Sequence, residues 1–145
     1  MTRTTIVSFF IVLSIHAVAL NQAWYDAFWW FDIPMHLIGG ALVGLFFFTL
    51  FTKPLKNLFS ERRFFLLLIL SIGFASLIGL LWEFYEYLKD VYVFKLHPLD
   101  FAPNPNTLPD TLDDLLNDLT GSLTLSLLFL FFSFRKPVNP APQMR

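Results

Sequence analysis

Four long apolar stretches dominate this chain, and three connections of differing length and composition separate them. They run from about 4 to 20, 33 to 52, 64 to 82 and 115 to 134, and the third extends as a helical pattern to Leu88. The length of each stretch is close to that of a helix that crosses a bilayer core, which takes about 20 residues. A membrane strand needs only about 10. The pattern predicts an all-α, polytopic membrane protein, with four transmembrane helices in a bundle and a single domain over residues 1–145.

The first stretch also has a second interpretation, as a secretory signal peptide. Arg3 would supply the basic start, and Ala17-Val18-Ala19 would be the cleavage site. A retained helix is favoured, because His16 adjoins that site and apolar residues continue on both sides of it.

Composition supports a membrane protein and removes several other classes. Apolar residues make up 56% of the chain, charged residues only 14%, and the mean hydropathy is +0.61. A net charge of −1 argues against nucleic-acid binding, and the absence of cysteine removes disulfides and thiolate chemistry. The 19 phenylalanines include runs at 46–48 and 129–134, which we expect to face lipid.

Basic residues are distributed unevenly between the two ends of these helices. Eight of the ten lie at the N-terminus, in the connection between the second and third stretches, or at the C-terminus. Because such residues concentrate in cytoplasmic segments, both termini are predicted to be cytoplasmic, in a bacterial-type inner or plasma membrane. The outer face then carries ten of the eleven acids. Its longer connection, 89–109, contains four prolines and is predicted to lack a regular helix.

Steps of four residues trace one face of each of the last three helices, and each traced face is small along its length and polar at its outer end. Small faces let membrane helices pack closely, so these faces are expected to meet. The traced positions are Asp32, His36, Gly40 and Gly44; Ser71, Ala75, Gly79 and Glu83; and Asp110, Asp114, Asp118, Ser122 and Ser126. The glycines expected at helix contacts are Gly40, Gly44, Gly79 and Gly121.

The polar ends of these faces also match in depth. Asp32, Glu83 and Asp114 each lie about 20 residues, or roughly 30 Å, from the basic residues at the inner end of their helix. His36 and Asp118 lie one helical turn deeper in the bilayer. The predicted cluster is Asp32, His36, Glu83, Asp114 and Asp118, with Glu86, Asp110 and His16 as secondary members.

So many intramembrane acids require neutralisation, and two solutions are open. A divalent metal (Mg²⁺, Mn²⁺, Zn²⁺ or Fe²⁺) can bind carboxylate oxygens and one imidazole nitrogen, or some carboxyls can carry protons and no cofactor is needed. A structural interpretation also stands for several acids. Asp110, Asp113 and Asp114 suit the N-terminus of the fourth helix, and Asp32 suits a helix start ahead of Pro34.

Three segments together resemble a known family: FDIPMHLIGG (31–40), LLWEFYEY (80–87) and DTLDDLLNDLTGS (110–122). They are similar to the YjdF-like family of small bacterial inner-membrane proteins, and more loosely to the VanZ-like family, which is linked to teicoplanin resistance. The resemblance implies a membrane protein of uncharacterised activity over about residues 28–130. The positions that match the family pattern are Asp32, His36, Glu83, Asp110, Asp114 and Gly121.

Three functions remain open at this point. The first is a metal site, with hydrolytic activity toward a lipid or envelope substrate. The second is proton- or cation-coupled transport or binding, for which four short helices favour a homo-oligomer. The third is a non-catalytic partner of another membrane protein. Whether the chain is an enzyme is therefore open, and its one firm partner is the lipid bilayer. Phosphate-binding loops and HExxH or GxSxG motifs are absent.

Overall fold

The computed structural model describes residues 2–53, 55, 63–93 and 107–134. Their helices are α1 (Thr2–Asn21), α2 (Trp24–Ala27), α3 (Asp32–Phe51), α4 (Arg63–Tyr92) and α5 (Thr107–Phe134). All but the short α2 are long and apolar enough to cross a membrane, and the described ranges contain no strand. The all-α, multi-pass fold is thus confirmed, while the cytoplasmic location of both termini stays a prediction.

Two helices extend into the connection that was predicted over 89–109. α4 continues to Tyr92, and α5 begins at Thr107, so the described part of the connection is helical at both ends. Pro109 is compatible with this because it is the third residue of α5, where a backbone N–H has no partner within the helix. The prediction that prolines exclude regular helix was therefore wrong at these ends, and residues 94–106 lie outside the described ranges.

A tight turn and the short helix α2 connect the end of α1 to the start of α3. Ala23 adopts a left-handed backbone conformation, with φ 53°, and α2 follows as a single turn. The rings of Trp24 and Tyr25 then contact the edge of Phe31, with centroid distances of 5.5 and 5.3 Å. These ring contacts hold α2 against Phe31, the residue that immediately precedes α3.

The closest helix pair is α3 with α5, which touch backbone to backbone. A Cβ added at Gly40 would collide with the carbonyl group of Asp118, and one added at Gly121 would collide with the carbonyl oxygen of Leu37. At Gly44 the same addition would come within 2.9 Å of the Ser122 hydroxyl oxygen. Glycine at these positions is what permits the approach, since any side chain would push the two helices apart.

α4 completes this interior with further small residues. Ser71 and Ala75 are buried, and the Ser71 hydroxyl forms a hydrogen bond of 2.9 Å with that of Ser126 on α5. Small and polar side chains therefore line the bundle interior along the middle of the helices. Apolar side chains cover most of the outward surface instead, where they contact lipid.

An aromatic core fills the opposite end of the bundle from α2. Phe47 and Phe48 are buried together with Leu67 and Leu130, and Phe129 stacks on Phe48 with a centroid distance of 4.4 Å. The expectation that the whole runs at 46–48 and 129–134 face lipid was thus wrong. Three helical residues, as in 46–48, span most of a turn, and the six of 129–134 span more than one. Each run therefore has an inward side, while Phe131 and Phe132 remain exposed.

Candidate functional site

α3 begins with two of the polar residues that define the site. Asp32 is the first residue of the helix, and Pro34 occupies its first turn, where proline is well tolerated. One turn later His36 points the same way, and its Nε2 lies 3.4 Å from an Asp32 carboxylate oxygen. His36 is only 5% exposed, whereas Asp32 is partly open to the outside. The imidazole therefore lies inside the bundle, beneath a carboxylate at its rim.

α5 contributes two more carboxylates to the same histidine. Asp114 Oδ1 lies 3.8 Å from Nε2, on the side that also faces Asp32, and Asp118 Oδ1 lies 3.5 Å from Nδ1, on the other side of the ring. Both aspartates are buried, because a four-residue spacing keeps them on the face of α5 that packs against α3. Each ring nitrogen of His36 thus faces a buried carboxylate.

Glycines on two helices create the space for the Asp118 side chain. A Cβ at Gly79 of α4 would lie 2.5 Å from Asp118 Oδ2, and one at Gly39 of α3 would lie 3.8 Å from Oδ1. Gly40 meets the backbone of the same residue. The small-residue faces therefore have a second effect besides helix packing, since they hold this carboxylate against the His36 ring.

α4 brings two glutamates to the histidine from a third direction. Ligand atoms of His36, Glu83 and Glu86 all lie within 4.8 Å of one another. One Glu83 oxygen, Oε1, is buried without a hydrogen-bond partner among the described residues, although Thr111 lies within hydrogen-bonding reach of the carboxylate. Glu86 differs, because Lys89 Nζ lies 3.7 Å from its carboxylate.

Asp110 and Asp113 stand apart from this group. Both are exposed on the first two turns of α5, and neither contacts His36 within the described part of the chain. Acids at this position interact favourably with the partial positive charge of a helix N-terminus. This placement is compatible with the structural interpretation of both residues, and the secondary role of Asp110 in the cluster stays a prediction.

The secondary candidate His16 lies on α1 and is 7% exposed. Its Nδ1 is 2.6 Å from the Tyr25 hydroxyl oxygen, its ring meets the edge of Trp82 at 5.0 Å, and its Nε2 is buried without a hydrogen-bond partner among the described residues. Burial, with the nearby charges of Asp32 and Glu86, raises the pKa of Tyr25, so this phenol keeps its proton. Nothing in the spacing of Tyr25 and Trp82 along the chain pairs them with His16.

The charges around His36 do not balance among the described residues. No lysine or arginine among the described residues contacts Asp32, Asp114 or Asp118. Even a protonated imidazole would offset only one of these three carboxylates, in a part of the bundle where burial makes unpaired charge costly. The arrangement therefore favours either a bound cation or protons shared among the acids.

Fold and site together define a multi-pass membrane protein whose helices enclose an acidic cluster around one buried histidine. The sequence matches the family described as "Predicted membrane protein (DUF2238)" over residues 1–135, so the chain belongs to this family. The YjdF-like resemblance is confirmed by that match. Comparison with curated proteins and with solved structures finds no significant match.

Proposed function

We propose that this protein binds a divalent metal ion inside the bundle, through His36 Nε2 and the carboxylates of Asp32 and Asp114. The observation that carries the proposal is the spacing of these three groups. Nε2 lies 3.4 and 3.8 Å from the two carboxylate oxygens, which is too long for good hydrogen bonds. Ligands about 2.0–2.2 Å from a tetrahedral metal are separated by roughly 3.3–3.6 Å, which is close to this spacing.

The contact on the Nδ1 side of the His36 ring supports the same proposal. A proton on Nδ1 would face the Asp118 carboxylate, 3.5 Å away, and the lone pair on Nε2 would then be directed toward Asp32 and Asp114. A carboxylate that orients a metal-binding histidine in this way is a general feature of metal centres. Two carboxylates and one imidazole suit Mn²⁺, Fe²⁺ or Zn²⁺, and Mg²⁺ is compatible through the oxygens.

Hydrolysis of a lipid or envelope substrate is the activity that such a centre would support. A metal lowers the pKa of bound water, and Glu83 would be the general base because its buried Oε1 has no partner within the described residues. The competing function, a proton relay through the same acids, predicts the opposite result in the following experiment.

The test is Mn²⁺ titration of the purified protein in neutral detergent, followed by electron paramagnetic resonance of free Mn²⁺. Wild type should bind one ion per chain, and His36→Ala and Asp114→Asn should each weaken binding more than about tenfold. Asp113→Asn is the matched control, since it removes the same charge from the neighbouring, exposed position and should bind like wild type. Binding that is absent in wild type, or equal in Asp113→Asn and Asp114→Asn, would refute the metal site and favour protonated carboxyls.

A further inference from the structure

A cavity of ≈ 100 Å³ lies between α1, α3 and α4, beside the His36 cluster. Three acids line it, Asp32, Glu86 and Asp118, and the described residues of its lining include no lysine or arginine. Deeper in the bundle the lining is almost entirely apolar, with Phe9, Val12, Leu13, Val43, Ala75 and Ile78 among its members. The cavity is therefore acidic at one end and apolar at the other.

Asp118 directs one carboxylate oxygen away from His36. Its Oδ1 lies 3.5 Å from Nδ1 of that ring, whereas its Oδ2 lies on the side of Gly79, where an added Cβ would come within 2.5 Å of it. Both Gly79 and Asp118 line the cavity. Within the described ranges no group donates a hydrogen bond to Oδ2. Because each oxygen of a carboxylate is an acceptor, Oδ2 remains able to bind a donor in the cavity.

The charge of this lining restricts the chemical class of an occupant. Carboxylates repel an anion, and a neutral apolar molecule would leave the charge of Asp118 unpaired, which is costly inside a membrane protein. A small inorganic cation would pair with the acid but would leave the apolar end unfilled. An ammonium on a short apolar chain satisfies both ends, since its N–H groups donate to carboxylates and its chain contacts the apolar lining. The aromatic rings of Tyr25 and Trp82 also line this cavity, and aromatic rings attract ammonium ions.

We propose that this cavity binds a primary alkylammonium ion, with its nitrogen at Asp118 Oδ2 and its chain against the apolar lining. The volume is below the about 150 Å³ of a cavity that takes benzene, so the enclosed part of the chain is about four carbons. α1 packs against α3 and hardly touches α4 or α5, so an amine dissolved in the bilayer can enter between α1 and α4. The proposed metal lies on the Nε2 side of His36 and Asp118 on the Nδ1 side, so this inference does not depend on that metal.

The experiment is calorimetric titration of the full chain, free of metal and in neutral detergent, with n-butylammonium. This amine is protonated at neutral pH, as the similar side chain of lysine is. Wild type should bind it in a saturable way, after subtraction of a titration into detergent alone. Its affinity should exceed those for methylammonium, which lacks the chain, and for n-butanol, which lacks the charge, by about tenfold or more. An affinity for either compound equal to that for n-butylammonium would overturn the proposal.

Asp118→Asn tests the acidic end, because it removes the charge and keeps the size of the side chain. It should lower the affinity for n-butylammonium by about tenfold or more and leave that for n-butanol unchanged. Asp113→Asn is the matched control, since it removes the same charge from an exposed position on the same helix. Equal affinities of these two variants for n-butylammonium would overturn the assignment of Asp118.

Val12→Phe tests the apolar end, because the larger ring would occupy the space of the chain. Val18→Phe is its control, since Val18 is 49% exposed on the same helix and does not line the cavity. We expect Val12→Phe to weaken n-butylammonium binding by about tenfold or more and Val18→Phe to bind like wild type. Unchanged binding in Val12→Phe would contradict the proposal. The three-compound comparison on wild type and this valine pair decide the question even if Asp118→Asn fails to fold.

Discussion

Replacing Gly40 by alanine is expected to separate α3 from α5 and to weaken the metal site at the same time. The new Cβ would lie 2.6 Å from the Cα and the carbonyl carbon of Asp118, and closer still to its carbonyl oxygen, where ordinary contacts begin near 3.4 Å. All three are backbone atoms, so no side-chain rotation relieves the overlap and α5 must move by about 1 Å or more. Forced overpacking of this kind costs about 1–3 kcal/mol of folding free energy.

The same displacement acts on the histidine. Asp118 Oδ1 is 3.5 Å from His36 Nδ1, and moving α5 away from α3 would lengthen that distance by a similar amount. Losing the group that orients a metal-binding histidine typically weakens metal affinity by about 10–100-fold. We therefore expect Gly40→Ala to lower both the thermal stability and the Mn²⁺ affinity.

Thermal unfolding in neutral detergent and Mn²⁺ titration measure the two effects. Gly73→Ala is the control, because a Cβ there meets nothing within 4 Å and alanine favours helix by up to about 1 kcal/mol. Gly121→Ala should behave like Gly40→Ala, since its Cβ would meet the Leu37 carbonyl oxygen across the same interface. If Gly40→Ala unfolds at the same temperature as Gly73→Ala, the backbone-to-backbone contact of α3 and α5 is not what holds this bundle together.

Two further predictions concern topology and the Tyr25 phenol. Reporter fusions after Arg145 and at Pro103 should report opposite sides of the membrane, with Arg145 cytoplasmic; a shared location would overturn the orientation taken from the basic residues. Since burial raises the pKa of Tyr25 above its ordinary value of 10.0, tyrosine absorbance near 295 nm should show a late-ionising fraction that Tyr25→Phe removes. The raised pKa also means that the folded state loses stability, relative to Tyr25→Phe, only as the pH rises above about 10, and an equal loss near neutral pH would contradict this assignment.

The hydrophobic pattern of the sequence predicted the four helical spans, and the reason is physical. A bilayer requires each span to satisfy its own backbone hydrogen bonds, so apolar length alone predicts a helix. Within a helix, four-residue spacing fixes which residues share a face, as with Asp32 and His36 on α3 or Asp114 and Asp118 on α5. The start of α5 was harder to predict, because Pro109 breaks a helix in its interior but not in its first turn.

What the sequence by itself determined is therefore helical identity and the polar face of each of the last three spans. Only the tertiary structure decided the distances between helices, and with them the assignment of Asp118 to Nδ1 and of Asp32 and Asp114 to Nε2 of His36. It also decided that Phe48 is buried, and that the Tyr25 hydroxyl is bonded to His16. Spacing along one chain carries no information on how neighbouring helices are rotated or how closely they approach. Those quantities depend on packing, which glycines such as Gly40 and Gly121 permit.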